Sequence, residues 1–536
     1  MKLSQVVIEN HSRLQDLSIE VRDNLVLVGP NDSGKSSLLR CLDLILGSST
    51  AQLYNKIAVS DFRAPALPLK IEVVLIEFDS DDEALFPDEI DVAEDGSKSL
   101  TIRLLIETDE AGTVLIRRFA PNGATGRQIS REQLLGLGWK FVGAVDTNSR
   151  DFRRDRNSTL SDILSSIDLG DEAEPLQQIT TQFQKKISDS LTLGDLRQRL
   201  AKQLSRAVPE KIEKDDLAFV SEASTAEDLL ADIRLQIKKH DQFRSMDEQS
   251  DGARALFAIA MYDLVAESAN FVAIDEPEVH LHPASQRSMA RLLREGPNQS
   301  IVSTHSSHIV GLFSPAEVVS VRPGGTVVQA NRDSFPLPLK THAHWWVSDK
   351  LEPLTARRIF LVEGISDRIF VERVSELCGL SVDRLGVSIL ELDGAGFVGQ
   401  VRSVFGDAGF NIPLSFLIDE DAEVETARML GIEPTDFPAN SVYVCSRDLE
   451  EQYVKAIGAT ALWSEIESSQ LFNRNELANC EASGESGIRT EADVAAFCRR
   501  QKSKVRAALI ASSLMSADSA EKIEPMYKML TEAATS

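Results

Sequence analysis

The chain has 536 residues, and its 83 acidic against 57 basic side chains give a formal net charge of −26. This balance argues against a protein coated with nucleic acid, because Lys and Arg make phosphate contacts, although it leaves room for a local basic channel. The length predicts about three to four domains, and a composition that is 43% hydrophobic and 26% charged is typical of a soluble globular protein.

Membrane and disulfide signals are missing from the sequence. It contains no apolar run of about 18 residues, and the amino-terminal residues lack the apolar core of a signal peptide. We therefore expect a cytoplasmic protein without a membrane partner. The scattered cysteines form no C-x-x-C pair, which predicts neither a zinc site nor a disulfide framework. They are Cys41, Cys378, Cys445, Cys480 and Cys498.

A phosphate-binding loop follows the first predicted strands. Short strands are expected over residues 3–8 and 17–28, and the second leads into G-x-x-x-x-G-K-S at 29–36 and then into a helix. The glycines let the backbone point N–H groups at phosphate, the lysine reaches the β- and γ-phosphates, and the hydroxyl of Ser36 holds Mg²⁺. The residues predicted to bind nucleotide are Gly29, Asn31, Gly34, Lys35, Ser36 and Ser37.

Antiparallel strands and a helical insertion come next. Strands are predicted over 69–78, 100–106 and 114–119. Between 175 and 212, apolar residues recur at spacings of three or four, which indicates one or two amphipathic helices inserted into the nucleotide domain. These helices offer a surface for self-association, and a plain core-facing helix is the alternative.

Further motifs complete an ATPase pattern. The nucleotide domain resumes at Ser250, and an apolar strand then ends in Asp275 and Glu276. Asp275 is placed to hold Mg²⁺ through water, and Glu276 is placed to polarise the attacking water. A following strand leads to His305, whose imidazole can sense or orient the γ-phosphate. The order of these signals after a phosphate-binding loop makes them strong together.

These segments resemble the ABC-type ATPases of DNA repair and chromosome maintenance. They read G-P-N-D-S-G-K-S, S-D-G-A-R, F-V-A-I-D-E-P-E-V-H-L-H-P and S-T-H-S. In that family two nucleotide domains sandwich ATP, so the resemblance implies a dimer in which Ser250 and Gly252 act on the partner's nucleotide, with His305 as the switch histidine. Metal binding by His280 and His282 is disfavoured, because no third ligand lies nearby in sequence. The implied segments are Walker A at 29–36, a signature at 250–254, Walker B at 271–276 and a D-loop around 278–282.

The second half predicts a parallel α/β sheet whose strands end in acidic residues. A buried strand at 358–362 ends in Glu363 and leads to a helix over 367–377, with Ser366 as its N-cap. Two later strands also end in acids, and active groups gather beyond the carboxyl ends of parallel strands. Crowded carboxylates ionise together only with cations between them, which predicts Mg²⁺ or Mn²⁺. The candidate ligands are Glu363, Asp367, Asp419, Asp421 and Glu450.

Three of these five candidate ligands carry a further expectation or an alternative role. Extended backbone would place Asp419 and Asp421 on one side of the chain. Asp367 alone also fits an acid that the helix dipole favours in a first turn.

The same acidic motifs resemble the Toprim domain. They are E-G-x-S-D at 363–367, L-D-G-A-G at 392–396 and D-E-D at 419–421. An ABC-type ATPase followed by Toprim in one chain is similar to the OLD (overcoming lysogenization defect) family of ATP-dependent endonucleases, over residues 1–345 and 355–510. The resemblance implies metal-dependent cleavage of DNA, commonly in defence against phage.

Residue roles implied by this family are carried onto the matching positions. Two metal ions would be held by the five acids, with Glu451 as an alternative to Glu450. A family lysine falls before the last helix, which leaves Lys502 and Lys504 as candidates to stabilise the charged phosphate. A solvated basic face is the alternative for both lysines.

The expected fold class is α/β: an ABC-type ATPase domain with a helical dimerisation insertion, followed by a parallel α/β Toprim nuclease domain. Expected partners are ATP, DNA, a second copy or a higher homo-oligomer, and a defence-system protein such as a helicase-like protein or a reverse transcriptase with its nucleic acid. The predicted limits are 1–160 and 241–340 for the ATPase, 161–240 for the insertion, 341–355 for a linker, 356–515 for Toprim and 516–536 for a tail.

Other functions for this domain combination are less consistent with the residues. A topoisomerase needs an attacking tyrosine on a strand-passage domain, and a primase brings a zinc module that the cysteines do not provide. An ATP-switched DNA clamp or sensor with a structural acidic pocket is the second hypothesis. Basic side chains for DNA contact are few, and solvated loops are the simpler account of them. These are Arg117, Arg118, Arg127, Arg150, Arg153, Arg154 and Arg156.

Overall fold

The computed structural model describes the chain in several ranges. Ser250 and Gly252, His280, most of the predicted helical insertion and most of the 392–396 motif lie outside them. The described ranges are 1–108, 114–123, 127–142, 236–239, 242–245, 269–279, 281–331, 351–392, 398–484 and 487–535, with single positions between 175 and 198.

Strands and helices follow one another along these ranges. The strands are β1 (Lys2–Glu9), β2 (Leu17–Glu20), β3 (Leu25–Val28), β4 (Leu69–Ile76), β5 (Asp91–Val92), β6 (Lys98–Thr108), β7 (Val114–Phe119), β8 (Trp139–Val142), β9 (Gln236–Lys239), β10 (Gln242–Ser245), β11 (Phe271–Asp275), β12 (Gln299–Thr304), β13 (Val318–Val321), β14 (Val327–Gln329), β15 (Arg358–Val362), β16 (Val387–Glu391), β17 (Leu414–Asp419) and β18 (Val442–Cys445). The helices are α1 (Lys35–Leu46), α2 (Thr50–Lys56), α3 (Ser80–Leu85), α4 (Arg131–Gly136), α5 (Pro283–Glu295), α6 (Ser307–Val310), α7 (Glu352–Thr355), α8 (Ile365–Leu377), α9 (Val382–Leu385), α10 (Val398–Phe405), α11 (Glu423–Leu430), α12 (Leu449–Ile457), α13 (Ala459–Ser468), α14 (Arg474–Leu477), α15 (Glu491–Cys498), α16 (Lys504–Leu514), α17 (Ala517–Glu521) and α18 (Glu524–Thr535).

An antiparallel sheet occupies the amino-terminal part, in the order β2-β1-β4-β6-β5 with β7 beside β6. Alternate side chains of β4 and β6 are buried, as expected for a sheet with one face on the core. Arg118 on β7 is only 5% exposed, and its Nη1 donates to the carbonyl of Ile45 at 3.0 Å, near the end of α1. The solvated-loop interpretation is therefore wrong for Arg118, which satisfies carbonyls at a helix terminus.

A second sheet has the order β14-β13-β3-β12-β11-β8, and β13, β3, β12, β11 and β8 run parallel. The loop that follows β3 carries the phosphate-binding motif and leads directly into α1. Every residue of β3, β11 and β12 is buried. Burial on both faces explains the continuous apolar runs of β3 and β11, whereas β12 buries four polar residues beside Ile301 and Val302.

The carboxyl-terminal sheet has four parallel strands in the order β16-β15-β17-β18. The helix after β15 begins at Ile365, with Gly364 at its N-cap position, so the prediction of Ser366 as the N-cap is wrong. Asp367 satisfies the free donor there, because its Oδ2 accepts the N–H of Gly364 at 2.9 Å. An acid at the third helical position thus makes the half of a capping box in which the N3 side chain accepts the N–H of the N-cap residue.

One hydrophobic core spans the second and the carboxyl-terminal sheets. It contains Val26 and Val28 of β3 together with Leu361 of β15 and Phe410 before β17. Polar contacts reinforce it, since the hydroxyl of Ser320 donates to the carbonyl of Leu354 at 2.7 Å. The phosphate-binding strand and the acidic sheet therefore contribute to one continuous hydrophobic cluster.

Candidate nucleotide and metal sites

Three adjacent parallel strands bring the predicted nucleotide residues together. Strand β12 lies between β3 and β11, with Thr304 opposite Val28 and Ser303 opposite Asp275. The phosphate-binding loop, His305 and Glu276 all follow the carboxyl ends of these strands. This edge is where parallel α/β sheets place their ligands.

The glycines of the loop are required by its backbone. Gly34 has a φ of +113°, in the region that residues with a Cβ rarely adopt. A Cβ on Gly29 would lie 2.0 Å from the carbonyl oxygen of Val321 on β13. The loop therefore packs directly against the neighbouring strand and tolerates no side chain at Gly29.

Lys35 lies inside this loop and is 3% exposed. Its Nζ donates to the carbonyls of Gly29 and Pro30, at 3.0 Å each, and lies 2.8 Å from Nε2 of His305. An ammonium has only donors, so Nε2 of His305 is the acceptor in this contact. Burial lowers the pKa of Lys35, and burial together with the Lys35 charge lowers the pKa of His305.

The end of β11 holds the predicted acid pair in a strained turn. Asp275 accepts a hydrogen bond from the hydroxyl of Ser303. Glu276 has a φ of +46°, an unfavourable conformation for a residue with a side chain, and its N–H donates to the carbonyl of Ser303 at 3.0 Å. Its Oε1 lies 3.4 Å from Nε2 of His305. Lys35, His305 and Glu276 thus form one contiguous polar cluster.

Glu278 is a residue whose place the sequence reasoning missed, since it appeared only within the implied D-loop. One carboxylate oxygen accepts the backbone N–H of His305, and burial raises the pKa of Glu278. The sequence does show a second acid two residues after Glu276, but the partner of Glu278, the backbone of His305, follows a different strand, β12.

The remaining nucleotide candidates occupy varied positions. Asn31 and Ser36 are exposed and Ser37 is half-buried, all in the loop or the first turn of α1. His282 is the N-cap of α5, where its Nδ1 accepts the N–H of Ala284 at 3.3 Å. A capping role accounts for His282 without a metal.

The acidic residues converge at the carboxyl edge of the carboxyl-terminal sheet. One carboxylate oxygen from each of Glu363, Asp419 and Asp421 lies within 4.8 Å of the others. Strand β17 ends at Asp419, and a 3₁₀ turn over Glu420–Ala422 follows it. Asp421 therefore reaches the cluster from a turn, and the expected extended backbone at this position is wrong.

Burial and mutual repulsion hold protons on this cluster. Burial, followed by the charge of Glu363, raises the pKa of Asp419 to about 8. Burial raises the pKa of Asp367 to about 6, and it also raises the pKa of Glu363. Acids whose pKa rises through desolvation and like charge are the groups that a cation would stabilise in the ionised form.

Glu450 and Lys504 form the other side of the cluster. Glu450 is 1% exposed, and neither of its carboxylate oxygens accepts a hydrogen bond within the described ranges. Nζ of Lys504 lies 3.4 Å from Oε1 of Glu450. Burial lowers the pKa of Lys504, but the carboxylates of Glu450 and its neighbours raise it more, so the net shift is upward.

The alternative candidates, Lys502 and Glu451, make other contacts or none at the cluster. Lys502 is exposed, in the turn before α16. Glu451 lies 3.2 Å from Nη1 of Arg447, and its N–H donates to Asp448 at 2.8 Å.

The residues present fit divalent cations. The donor set consists of carboxylate oxygens, which Mg²⁺ and Mn²⁺ prefer. The buried carboxylate of Glu450 lacks a hydrogen bond from the described residues, which leaves lone pairs that a cation can use.

Comparisons with known proteins agree with this layout. Residues 25–311 match the family model AAA_21, described as "AAA domain, putative AbiEii toxin, Type IV TA system". Residues 354–421 match the model described as "Overcoming lysogenization defect protein-like, TOPRIM domain".

Within the described ranges, no helix is both long and apolar enough to cross a membrane.

Three curated relatives align with most of the chain. The OLD nuclease of Thermus scotoductus is 24% identical over 450 residues, which is 78% of this chain and 82% of the relative. Endonuclease GajA of Bacillus cereus is 21% identical over 434 residues, 74% of this chain and 72% of the relative. The Old nuclease of Escherichia phage P2 is 22% identical over 471 residues, 76% of each. With a match over more than half of its length, the chain belongs to the AAA_21 family, and an OLD-like Toprim match follows it in the sequence.

Proposed function

We propose that this protein is an ATP-dependent, metal-dependent endonuclease that nicks or cuts DNA and acts in defence against phage. The observation that carries the proposal is the convergence of Glu363, Asp419 and Asp421 within 4.8 Å, in a chain that also forms a phosphate-binding loop. Relatives named as nucleases align across both parts. A merely structural acidic pocket would not need buried carboxylates that repel one another.

In the proposed nuclease site, Glu363, Asp367, Asp419, Asp421 and Glu450 hold Mg²⁺ or Mn²⁺. When bound, two such ions would supply charge neutralisation at the scissile phosphate and a more acidic water at the site. Lys504, next to Glu450, is the better candidate than Lys502 to neutralise a phosphate oxygen. Glu450 is likewise a better ligand than Glu451, whose carboxylate contacts Arg447.

In the proposed ATPase site, the loop amides and Lys35 hold the phosphates, with Asn31 and Ser37 beside them. Ser36 and Asp275 hold Mg²⁺, and Glu276 orients the attacking water. Since Lys35 contacts His305 and the loop carbonyls, phosphate must displace these contacts. His305 would then be free to interact with the γ-phosphate.

The remaining proposals concern assembly and boundaries. We keep Ser250 and Gly252 as residues that complete the nucleotide site of a second copy, which makes the working form a homodimer or a higher homo-oligomer. The predicted domain limits and a helicase-like or reverse-transcriptase partner are proposals of the same kind.

The direct test is cutting of plasmid DNA with Mg²⁺ or Mn²⁺. Asp419→Ala should abolish cutting and leave ATP hydrolysis intact, because its ligand set and the nucleotide loop belong to different sheets. Asp407→Ala is the matched control, because Asp407 is an exposed aspartate in the turn after α10 and is not a candidate ligand. Cutting that survives both Asp419→Ala and Glu363→Ala would exclude this site.

The nucleotide half is tested separately. Lys35→Ala should remove binding of a fluorescent ATP analogue, while metal binding by the acidic cluster persists. Loss of Mn²⁺ binding in this variant would contradict the proposal that the nucleotide and the metal are bound by independent sets of residues.

A further inference from the structure

Asp448 lies directly before α12 and uses its two carboxylate oxygens for different purposes. Its Oδ1 accepts the N–H of Glu451 at 2.8 Å and so caps α12. The first turn of that helix supplies two parts of the acidic site, because Leu449 donates its N–H to Oδ1 of Asp419 at 3.0 Å and Glu450 extends into the cluster. The cap thus fixes the backbone from which both parts project.

The second oxygen of Asp448 connects the cap to a different segment. Nε and Nη2 of Arg499 both contact Oδ2 of Asp448. Arg499 is the residue after α15, and a short turn leads from it to Lys504 at the start of α16. Two backbone hydrogen bonds stiffen this turn, from Ser503 and Lys504 to the carbonyl of Arg500, at 2.7 Å and 2.8 Å. The ion pair therefore links the segment carrying Lys504 to the helix carrying Glu450.

We propose that Asp448 and Arg499 are positioning residues of the nuclease site: their ion pair sets the first turn of α12 and the place of Lys504 relative to Glu450. The inference rests on the proposed nuclease function. Neither residue is among the metal ligands. Asp448 is buried but Arg499 is exposed, so solvent screens the contribution of the pair to folding stability. Its contribution lies in orientation of the ligand set, where partners behind metal ligands typically matter by about 10- to 100-fold in affinity or activity.

The test separates capping from the ion pair. Asparagine caps helices about as well as aspartate, so Asp448→Asn keeps the cap and removes the charge that binds Arg499. Glu476→Gln is the matched control: Glu476 also belongs to a helix-capping box and pairs with an arginine of the same segment, Arg506, at 2.8 Å. The control pair joins α14 to α16, and neither of its side chains contacts a candidate metal ligand.

Three measurements are compared for the wild type and both variants. Asp448→Asn should raise the Kd for Mn²⁺, measured by calorimetry on the full chain without DNA, by about tenfold or more. It should lower kcat for DNA cutting by a similar factor while KM changes less than about twofold, since the DNA surface is intact. Melting temperature in EDTA should match that of Glu476→Gln, which should behave as wild type in the other two measurements.

Arg499→Gln removes the other partner of the ion pair, and it provides a second test if Asp448→Asn does not fold. It should reproduce both losses, and the double variant should be no worse than either single one, because the two residues act as one unit. Wild-type Mn²⁺ affinity and kcat in both single variants would overturn the positioning role while leaving the proposed nuclease intact. A wild type that neither binds Mn²⁺ nor cuts DNA would instead refute the nuclease itself.

Discussion

The affinity of the acidic cluster for metal should depend steeply on pH, because Asp419 must lose a proton to bind a cation. Burial and the neighbouring carboxylates raise its pKa to about 8, so the metal-free protein carries a proton on Asp419 at neutral pH. Metal binding therefore releases that proton. The sign follows directly: affinity rises with pH until Asp419 is ionised without metal, and then becomes constant.

The size of the effect follows from the ionised fraction of Asp419. With a pKa of about 8, roughly 1% is ionised at pH 6, about 9% at pH 7 and about half at pH 8. The apparent Mn²⁺ affinity should therefore rise about 50-fold from pH 6 to pH 8 and at most about twofold beyond it. Below pH 6 the slope should steepen, since the pKa of Asp367 lies at about 6 and a second proton must leave.

Calorimetric titration with Mn²⁺ checks this, in pairs of buffers whose ionisation enthalpies differ so that the released protons are counted. About one proton per protein is expected at pH 7. Asp367→Asn removes one of the charges that raise the pKa of Asp419, so the midpoint should move to lower pH even if binding weakens. Glu476→Gln is the control and should keep the wild-type profile. An affinity independent of pH, with no proton released, would refute the reasoning.

Four further predictions follow from the same contacts. Lys504→Met should lower kcat for cutting of plasmid DNA by about 100-fold, which is the upper end of the effects seen for groups beside metal ligands. Lys502→Met should change the same kcat by less than about threefold. Gly29→Ala should abolish binding of a fluorescent ATP analogue, because its Cβ would lie 2.0 Å from a carbonyl of β13. Arg118→Met should lower the free energy of unfolding by about 1–3 kcal/mol in urea titrations, because buried carbonyls at the end of α1 lose their donor. In EDTA, the melting temperature should fall as pH rises from 6 to 8.5. The pKa of Asp419 is raised to about 8 in the folded protein, so the stability gained from its bound proton is lost as pH rises through that value. A melting temperature independent of pH would contradict a protonated Asp419.

Patterns confined to one segment were predictable from the sequence. The loop at 29–36 specifies its own geometry, because the glycines, the lysine and the following helix are neighbours in the chain. The strands that end in Glu363 and Asp419 were likewise readable, since buried parallel strands are continuous apolar runs. Their convergence followed from a general property of parallel sheets rather than from any long-range signal.

Contacts between distant segments could not be read in this way. The choice between Lys502 and Lys504 depends on where α16 begins and which side of its first turn faces Glu450. The contact of Glu278 with the backbone of His305 requires β11 and β12 to be adjacent. Asp421 reaches the cluster because the chain leaves the strand at Asp419, and a tertiary constraint of this kind leaves no periodic trace in the sequence.

The continuous core explains why two chemically separate sites should nevertheless respond to the same packing changes. Val28 precedes the phosphate-binding loop, Leu361 precedes Glu363, and both side chains belong to one buried cluster. A cavity made at either position would disturb the cluster to which both strands contribute, because close-packed interiors transmit strain. Loss of both activities after a core substitution therefore says nothing about coupling between the sites. Only substitutions at polar positions such as Lys35 and Asp419, which leave the core intact, can show whether nucleotide licenses or restrains cutting.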